Sequence, residues 1–208
     1  MTSVTCRCDT VIEVDVPELA NLDSDRNILS ALLDGSFLSS ICPRCGVAVR
    51  PEIALRITWP SKGLDAQVLP ELERLSVYRD KAAIPSGCEA LVGYPELFER
   101  VRMLRDDLDP KAVEILKYYL SEKALEAELD SEAAILYNGL ESDKLVFHVL
   151  GLKAEQTGVV RLPVESYRKA LTGFKETSSK KPFIQVFKGP YKSVKKLGFL
   201  ADDTEDDR

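Results

Sequence analysis

The sequence predicts an α+β protein, and three observations carry that class. Ile12, Val14 and Val16 alternate with Glu13 and Asp15, the period-2 signature of a strand with one wet face. Asp109-Pro110 is a helix cap followed by the favoured first-turn proline, and it opens a long apolar-periodic stretch that runs to about Glu128. Between Ala133 and Val164 lie three β-branched runs, Ala133 to Tyr137, Leu145 to Leu150 and Val159 to Val164, punctuated by Asn138-Gly139, Gly151 and Gly158.

The first 60 residues read as β-rich with one inserted helix. Pro17 ends the alternating strand. Asp23 or Ser24 can cap a helix whose apolar positions Ile28, Leu29, Leu32 and Leu33 follow helical spacing, and Asp34-Gly35 supplies a left-handed stop. Phe37 to Ile41, Val47 to Arg50 and Ile53 to Trp59 are short strands, and Pro60-Ser61-Lys62-Gly63 is turn chemistry. The middle is a helical hairpin: Leu97, Val101 and Leu104 form a stripe after Pro95, and the second helix buries Val113, Ile115, Leu116, Tyr119, Leu120 and Leu125. A short helix, Tyr167 to Phe174, closes the C-terminal β-rich segment. Residues 79–93, which hold a Pro-Ser-Gly turn, and 173–182, which are polar and loosely patterned, are candidate linkers, the first of them too short and too apolar to separate domains. The resulting partition is a metal-binding domain with its helical part over 1–130, a β-rich segment over 131–174, and a charged tail over 175–208 that reads as an appendage.

Charge is unevenly spread. The chain has 208 residues with 28 basic and 34 acidic side chains. From Lys175 to Lys196 seven lysines face Glu176 alone, and the last seven residues, DDTEDDR, return a net −4. Lys180, Lys181, Lys188, Lys192, Lys195 and Lys196 are therefore candidate contacts for an anion or an acidic partner, with Phe183, Phe187 and Tyr191 as stacking faces. A solvated terminal element screened by its own tail is the simpler reading, because the overall net charge of −6 differs from the basic footprint of a nucleic-acid binder. No run of 18 or more apolar residues occurs, and MTSVTCRC lacks the basic-then-apolar order of a secretory signal. A cytoplasmic protein with reduced thiols and no membrane partner is the expectation.

The cysteines carry the chemistry. Cys6-Arg7-Cys8 and Cys42-Pro43-Arg44-Cys45 are two pairs of soft donors, and four thiolates match a closed tetrahedral Zn²⁺ site. In the second pair Pro43 stiffens the loop and Gly46 permits the positive-φ turn that aims backbone N–H groups at sulfur. The one-residue spacing of the first pair places both thiols on the same face of an extended strand. Arg7, Arg44 and Arg50 are close enough in sequence to offset the formal −2 of a Zn(Cys)₄ centre. Free thiols, disulfides and a redox pair are the competing readings; a redox pair needs a helix N-terminus, whereas Val47 to Arg50 reads as strand. With the four cysteines as ligands, the N-terminal unit is zinc-ribbon-like, and structural Zn²⁺ is the expected cofactor. Cys88 reads as a small apolar residue.

These paired cysteines, the LLDGS stretch between them and the CPRCG knuckle resemble the CpXC protein family, named for paired Cys-Pro-x-Cys motifs. The segment from Tyr94 to Glu128 looks like the helical part of longer members. Cys42 and Cys45 match the motif directly; at Cys6 and Cys8 this chain has Cys-Arg-Cys where the pattern has Cys-Pro-x-Cys. The resemblance implies a zinc-binding domain and assigns no activity.

Three function classes follow. An enzyme must use something other than the cysteines, because four of them fill the coordination sphere. His148 is the single histidine, set in a strand-like run, and no H-x-E, P-loop, G-x-G-x-x-G or H-E-x-x-H motif is present. A nucleic-acid-binding zinc ribbon using the lysine stripe is disfavoured by the acidic bulk. Elimination favours a non-catalytic interaction or scaffold module that binds a protein partner or itself, with the helix around Leu116, Tyr118, Tyr119 and Leu120 as a candidate surface.

Overall fold

The chain begins with a β-hairpin in the computed structural model, which describes residues 2–126, 134–153 and 156–202. Strands β1 (Thr2–Thr5) and β2 (Val11–Val14) pair antiparallel, with Thr2 opposite Val14 and Thr5 opposite Val11. A second two-stranded ladder, β4 (Ser40–Ile41) with β5 (Ala48–Val49), follows β3 (Leu19–Asn21) and helix α1 (Arg26–Asp34). Gly35, at φ 81°, ends α1 in the left-handed conformation read from Asp34-Gly35. The helix start differs from expectation. Asp25 is the cap residue, and its carboxylate accepts from the Asn21 N–H at 2.9 Å rather than from the helix.

A four-stranded sheet in the order β3-β6-β7-β8 forms the centre of this N-terminal unit. It adds β6 (Leu55–Trp59), β7 (Leu64–Leu69) and β8 (Glu89–Val92). β6 and β7 are an antiparallel hairpin in which Leu55 faces Val68 and Trp59 faces Leu64; its turn is Pro60–Lys62 closed by Gly63 at φ 67°. β3 and β8 join parallel, at β6 and β7 respectively. Leu55, Ile57 and Trp59 alternate inward on one strand, and Leu64, Ala66 and Val68 on the other. The region 79–93, a candidate linker too apolar for that role, contains a sheet strand.

Helices α2 (Arg74–Tyr78), α3 (Gly93–Arg105) and α4 (Pro110–Glu126) come next. Asp109 caps α4 through its carboxylate, which accepts from the Lys111 N–H at 2.8 Å, with Pro110 at the first helical position. The C-terminal sheet has the order β11-β10-β9, from β9 (Ala134–Glu141), β10 (Lys144–Lys153) and β11 (Gln156–Pro163), all antiparallel. Asn138-Gly139 does not end β9. Val146 pairs with Gly139 and Phe147 with Tyr137, so Asn138 is the extra residue of a bulge, and the turn falls at Ser142-Asp143. Helix α5 (Val164–Thr172) follows, then the short helices α6 (Phe174–Thr177), α7 (Phe183–Val186) and α8 (Lys196–Asp202).

Residues 1–75 with 82–98 form one compact unit and residues 76–81 with 99–208 the other, boundaries falling inside both α2 and α3. This division differs from the boundaries at 130 and 174 read from the sequence. The second unit has its own apolar core, which includes Met103, Val113, Leu116, Tyr137, Phe147 and Tyr167. Part of the expected appendage also belongs to a folded body: Phe183, Val186 and Tyr191 are buried. Tyr119, expected inside, is half exposed. Ala133, the side chain of Leu125 and residues 203–208 of the acidic tail lie outside the described residues. Among the described residues no helix is long and apolar enough to cross a membrane.

Candidate metal centre

Each cysteine pair sits in a tight loop at the end of a two-stranded ladder. In the second loop the Cys42 N–H donates to the Val47 carbonyl at 2.8 Å, and the Gly46 N–H donates to the Cys42 carbonyl at 2.9 Å. Gly46 makes this closure at φ 72°, the left-handed region that glycine enters without a Cβ penalty. The first loop repeats the pattern one residue shorter. The Cys6 N–H donates to the Thr10 carbonyl at 2.9 Å, the Asp9 N–H donates to the Cys6 carbonyl at 2.9 Å, and Asp9 stands at φ 63° where the other loop has Gly46. Cys6 and Cys8 therefore occupy a knuckle, not one face of an extended strand. The absent residue of the Cys-Arg-Cys spacing is absorbed by the turn.

The two knuckles bring four sulfurs together. All four Sγ atoms lie within 4.8 Å of one another, with Cys6 to Cys45 at 3.5 Å and Cys8 to Cys42 at 3.6 Å. Thiolates about 2.3 Å from a tetrahedral zinc ion stand roughly 3.8 Å apart along each edge, so the donor set fits such an ion with little adjustment. Cys6 and Cys42 are buried, Cys8 is half-buried and Cys45 exposed, and none of the five cysteines is in a disulfide.

Backbone dipoles prepare some of these thiols for a cation. The N–H groups of Cys45 and then Arg44 point at the Cys42 sulfur and draw its pKa down to about 6. The Thr10 hydroxyl, 3.3 Å from the Cys8 sulfur, and the Thr10 N–H lower the Cys8 thiol. At Cys45 the Val47 N–H favours the thiolate, but desolvation and the crowding sulfurs of Cys6, Cys8 and Cys42 outweigh it and push the pKa up to about 12. Four thiolates this close repel one another, and a divalent cation at their centre removes that repulsion. Asp9 and Thr10 are the supporting residues that sequence reading missed; the cue was an Asp, tolerant of left-handed backbone, directly after the second cysteine.

The three arginines behave differently. Arg44 donates from Nη1 to the Cys8 carbonyl at 3.1 Å and so ties the second knuckle to the first. Arg50 turns to the Gly35 carbonyl and lies 5.3 Å over the Phe98 ring, while Arg7 is exposed.

Lys180, Lys181 and Lys188 are exposed, with Lys180 paired to Glu176 at 2.5 Å; Lys192 and Lys195 are half-buried. Lys196 is turned inward at 6% exposure, its Nζ 3.7 Å from Asp80, which removes it from an anion-facing stripe. Phe183 and Tyr191 are buried and offer no free stacking face. Cys88 is buried and donates to Asp65 at 3.3 Å, and burial raises its thiol pKa, the reverse of an activated nucleophile. His148 sits half-buried in β10.

Comparison with known proteins agrees with the site. A family model described as CpXC protein matches residues 4–117. An uncharacterized protein of Treponema pallidum (strain Nichols) is 27% identical, the match covering 81% of this chain and 86% of the relative. No solved structure matches. Both cysteine pairs and more than half of the sequence fall inside the matched span, and the chain belongs to the CpXC protein family.

Proposed function

We propose that this chain is a non-catalytic interaction or scaffold module of the cytoplasm whose N-terminal unit is held by one structural Zn²⁺ on Cys6, Cys8, Cys42 and Cys45. The observation that supports this most is the convergence of four sulfurs from two knuckles separated by more than thirty residues of sequence. A sulfur-only donor set favours zinc over hard cations, and four protein ligands leave no position for a substrate. The ion supplies folding energy rather than reactivity. Apparent values around 10–16 kcal/mol for structural zinc peptides are ample to close two short ladders.

The test is elemental analysis of untagged protein, paired with recovery of bound proteins from source cells under native conditions. One zinc per chain and a recurrent stoichiometric partner are the expected results. The Cys42→Ser variant should lose the ion and destabilise the N-terminal region. Full zinc stoichiometry in that variant overturns the shared site, and a stoichiometric metal other than zinc overturns the identity of the ion.

A further inference from the structure

The two knuckles that would hold the ion also begin two walls of a groove. β2 leaves the first knuckle, and its Glu13 and Val14 with the following Asp15 lie along one side, while Leu38 and Ser40 lie along the other side and run through β4 into Cys42. The segment Asn27 to Ala31 of α1 lines it as well. Its volume is about 490 Å³, within the range of roughly 300–1,000 Å³ typical of ligand-sized clefts. The lining is divided by chemistry. Val14 and Phe37 are buried at its base and Ile28 and Leu38 are half-buried, whereas the carboxylates Glu13 and Asp15 are exposed. Among the described residues no basic side chain lines the groove. The sequence around it is equally one-sided, with six acids and no base from Cys8 to Asp25.

We infer that this groove docks an extended segment of a partner protein that presents a basic side chain beside apolar ones. The inference rests on the interaction-module reading and names the chemistry of its partner. Apolar side chains of the segment fill the base over Val14, Ile28 and Phe37, and its lysine or arginine meets Glu13 and Asp15. β2 has β1 as its strand neighbour and is an edge of that two-stranded sheet, so an extended peptide can lie along it as a further strand. The carboxylates contribute selectivity, since exposed charges at a rim discriminate between partners more than they add affinity. A zinc ion in the cysteine cluster sets the separation of the walls, because each wall is anchored to one knuckle. The structural metal thereby acquires a purpose beyond stability.

The test is selection of a phage-displayed library of short random peptides on the immobilised full chain, followed by binding of the synthetic winners in solution. Winners should carry Lys or Arg next to apolar residues. The doubly charge-reversed variant, Glu13→Lys with Asp15→Lys, should bind them about tenfold more weakly or worse while keeping its zinc, and should regain affinity for copies in which the basic residue becomes Glu. Ile28→Asp should also abolish binding. Winners without a basic residue, indifference to the charge reversal, no winners at all, or a self-associated chain whose dissociation is required for peptide to bind would each overturn the groove assignment. Zinc measured on the same sample separates the two ideas: full zinc without charge-dependent binding defeats the groove alone, and charge-dependent binding without zinc defeats the metal reading and the metal-set spacing of the walls but leaves the groove.

Discussion

Lys117 shows how far a single residue can depart from its usual surroundings. It lies in α4 at 1% exposure, with Nζ 2.9 Å from Glu99 and 2.7 Å from Glu114. The second oxygen of each carboxylate is engaged as well, Glu99 accepting from the Tyr137 N–H at 2.6 Å and Glu114 from the Val194 N–H at 2.8 Å. Desolvation opposes the lysine's charge most strongly, but the carboxylates of Glu114 and Glu99 outweigh it and raise its pKa. Burial raises the Glu99 pKa, with the charge of Glu114 adding to the effect and that of Lys117 opposing it. Since the folded pKa of Lys117 exceeds the ordinary 10.5, its stabilising contribution is complete below about pH 10.5 and is lost as pH climbs through the folded value. Lys117→Met should therefore destabilise the chain by about 3–5 kcal/mol at neutral pH, because it leaves two buried carboxylates without a counter-charge. Urea denaturation at several pH values checks this. The deficit should shrink as acid protonates Glu99, whose pKa is raised, and a deficit that does not change with pH would place the loss in packing instead.

The paired knuckles are the elements on which the metal centre depends, and they solve one closure in two ways. Gly46 and Asp9 hold equivalent left-handed positions, and a Cβ built on Gly46 meets nothing within 4 Å. A side chain there is penalised by backbone conformation alone. Gly46→Val should cost about 1–2 kcal/mol and weaken metal retention, whereas Asp9→Gly should leave both nearly unchanged. Competition with a chromophoric chelator reads the first effect and thermal melting the second; equal losses at the two positions would refute the equivalence. The contrast also explains what the sequence disclosed at this scale. CPRCG announces its turn through Pro43 and Gly46, but Cys-Arg-Cys-Asp has neither, and its period of two imitates a strand. Helix ends were legible at Asp34-Gly35 and Asp109-Pro110 because capping is local chemistry. Strands β3 and β8 were not, since both join their sheet through parallel, non-local pairing and three of the four residues of β8 are buried, which erases alternation. β7 does alternate over its six residues, and the sequence reading passed over it. In α4 every residue from Ala112 to Lys117 is buried, so burial there runs round the helix and not along one face, and the single-face expectation held for Val113, Ile115 and Leu116 but failed for Tyr119.

Across the whole molecule, stability has two sources. The C-terminal unit buries a conventional core on a three-stranded sheet, and the residues of that cluster all lie between Met103 and Tyr167. Much of the tail's order escaped the sequence reading because its apolar anchors, Phe183, Val186 and Tyr191, sit in or after a four-residue helix among lysines, where charge dominates the composition and no period can develop. The start of the chain is different in kind. β1 with β2 and β4 with β5 are two-stranded ladders of four and two residues per strand, and such ladders are marginal in water without a further constraint. Four cysteines at their tips supply that constraint once metal is bound, so removing the ion should be felt where the ladders are. Hydrogen exchange followed by mass spectrometry, before and after treatment with a strong chelator, measures this directly. Amides of residues 2–14 and 40–49 should lose most of their protection, while those of β9 to β11 keep theirs. Unchanged exchange in the ladders would mean that they stand without metal, and an equal loss in both regions would mean that the ion supports the entire chain rather than its first unit.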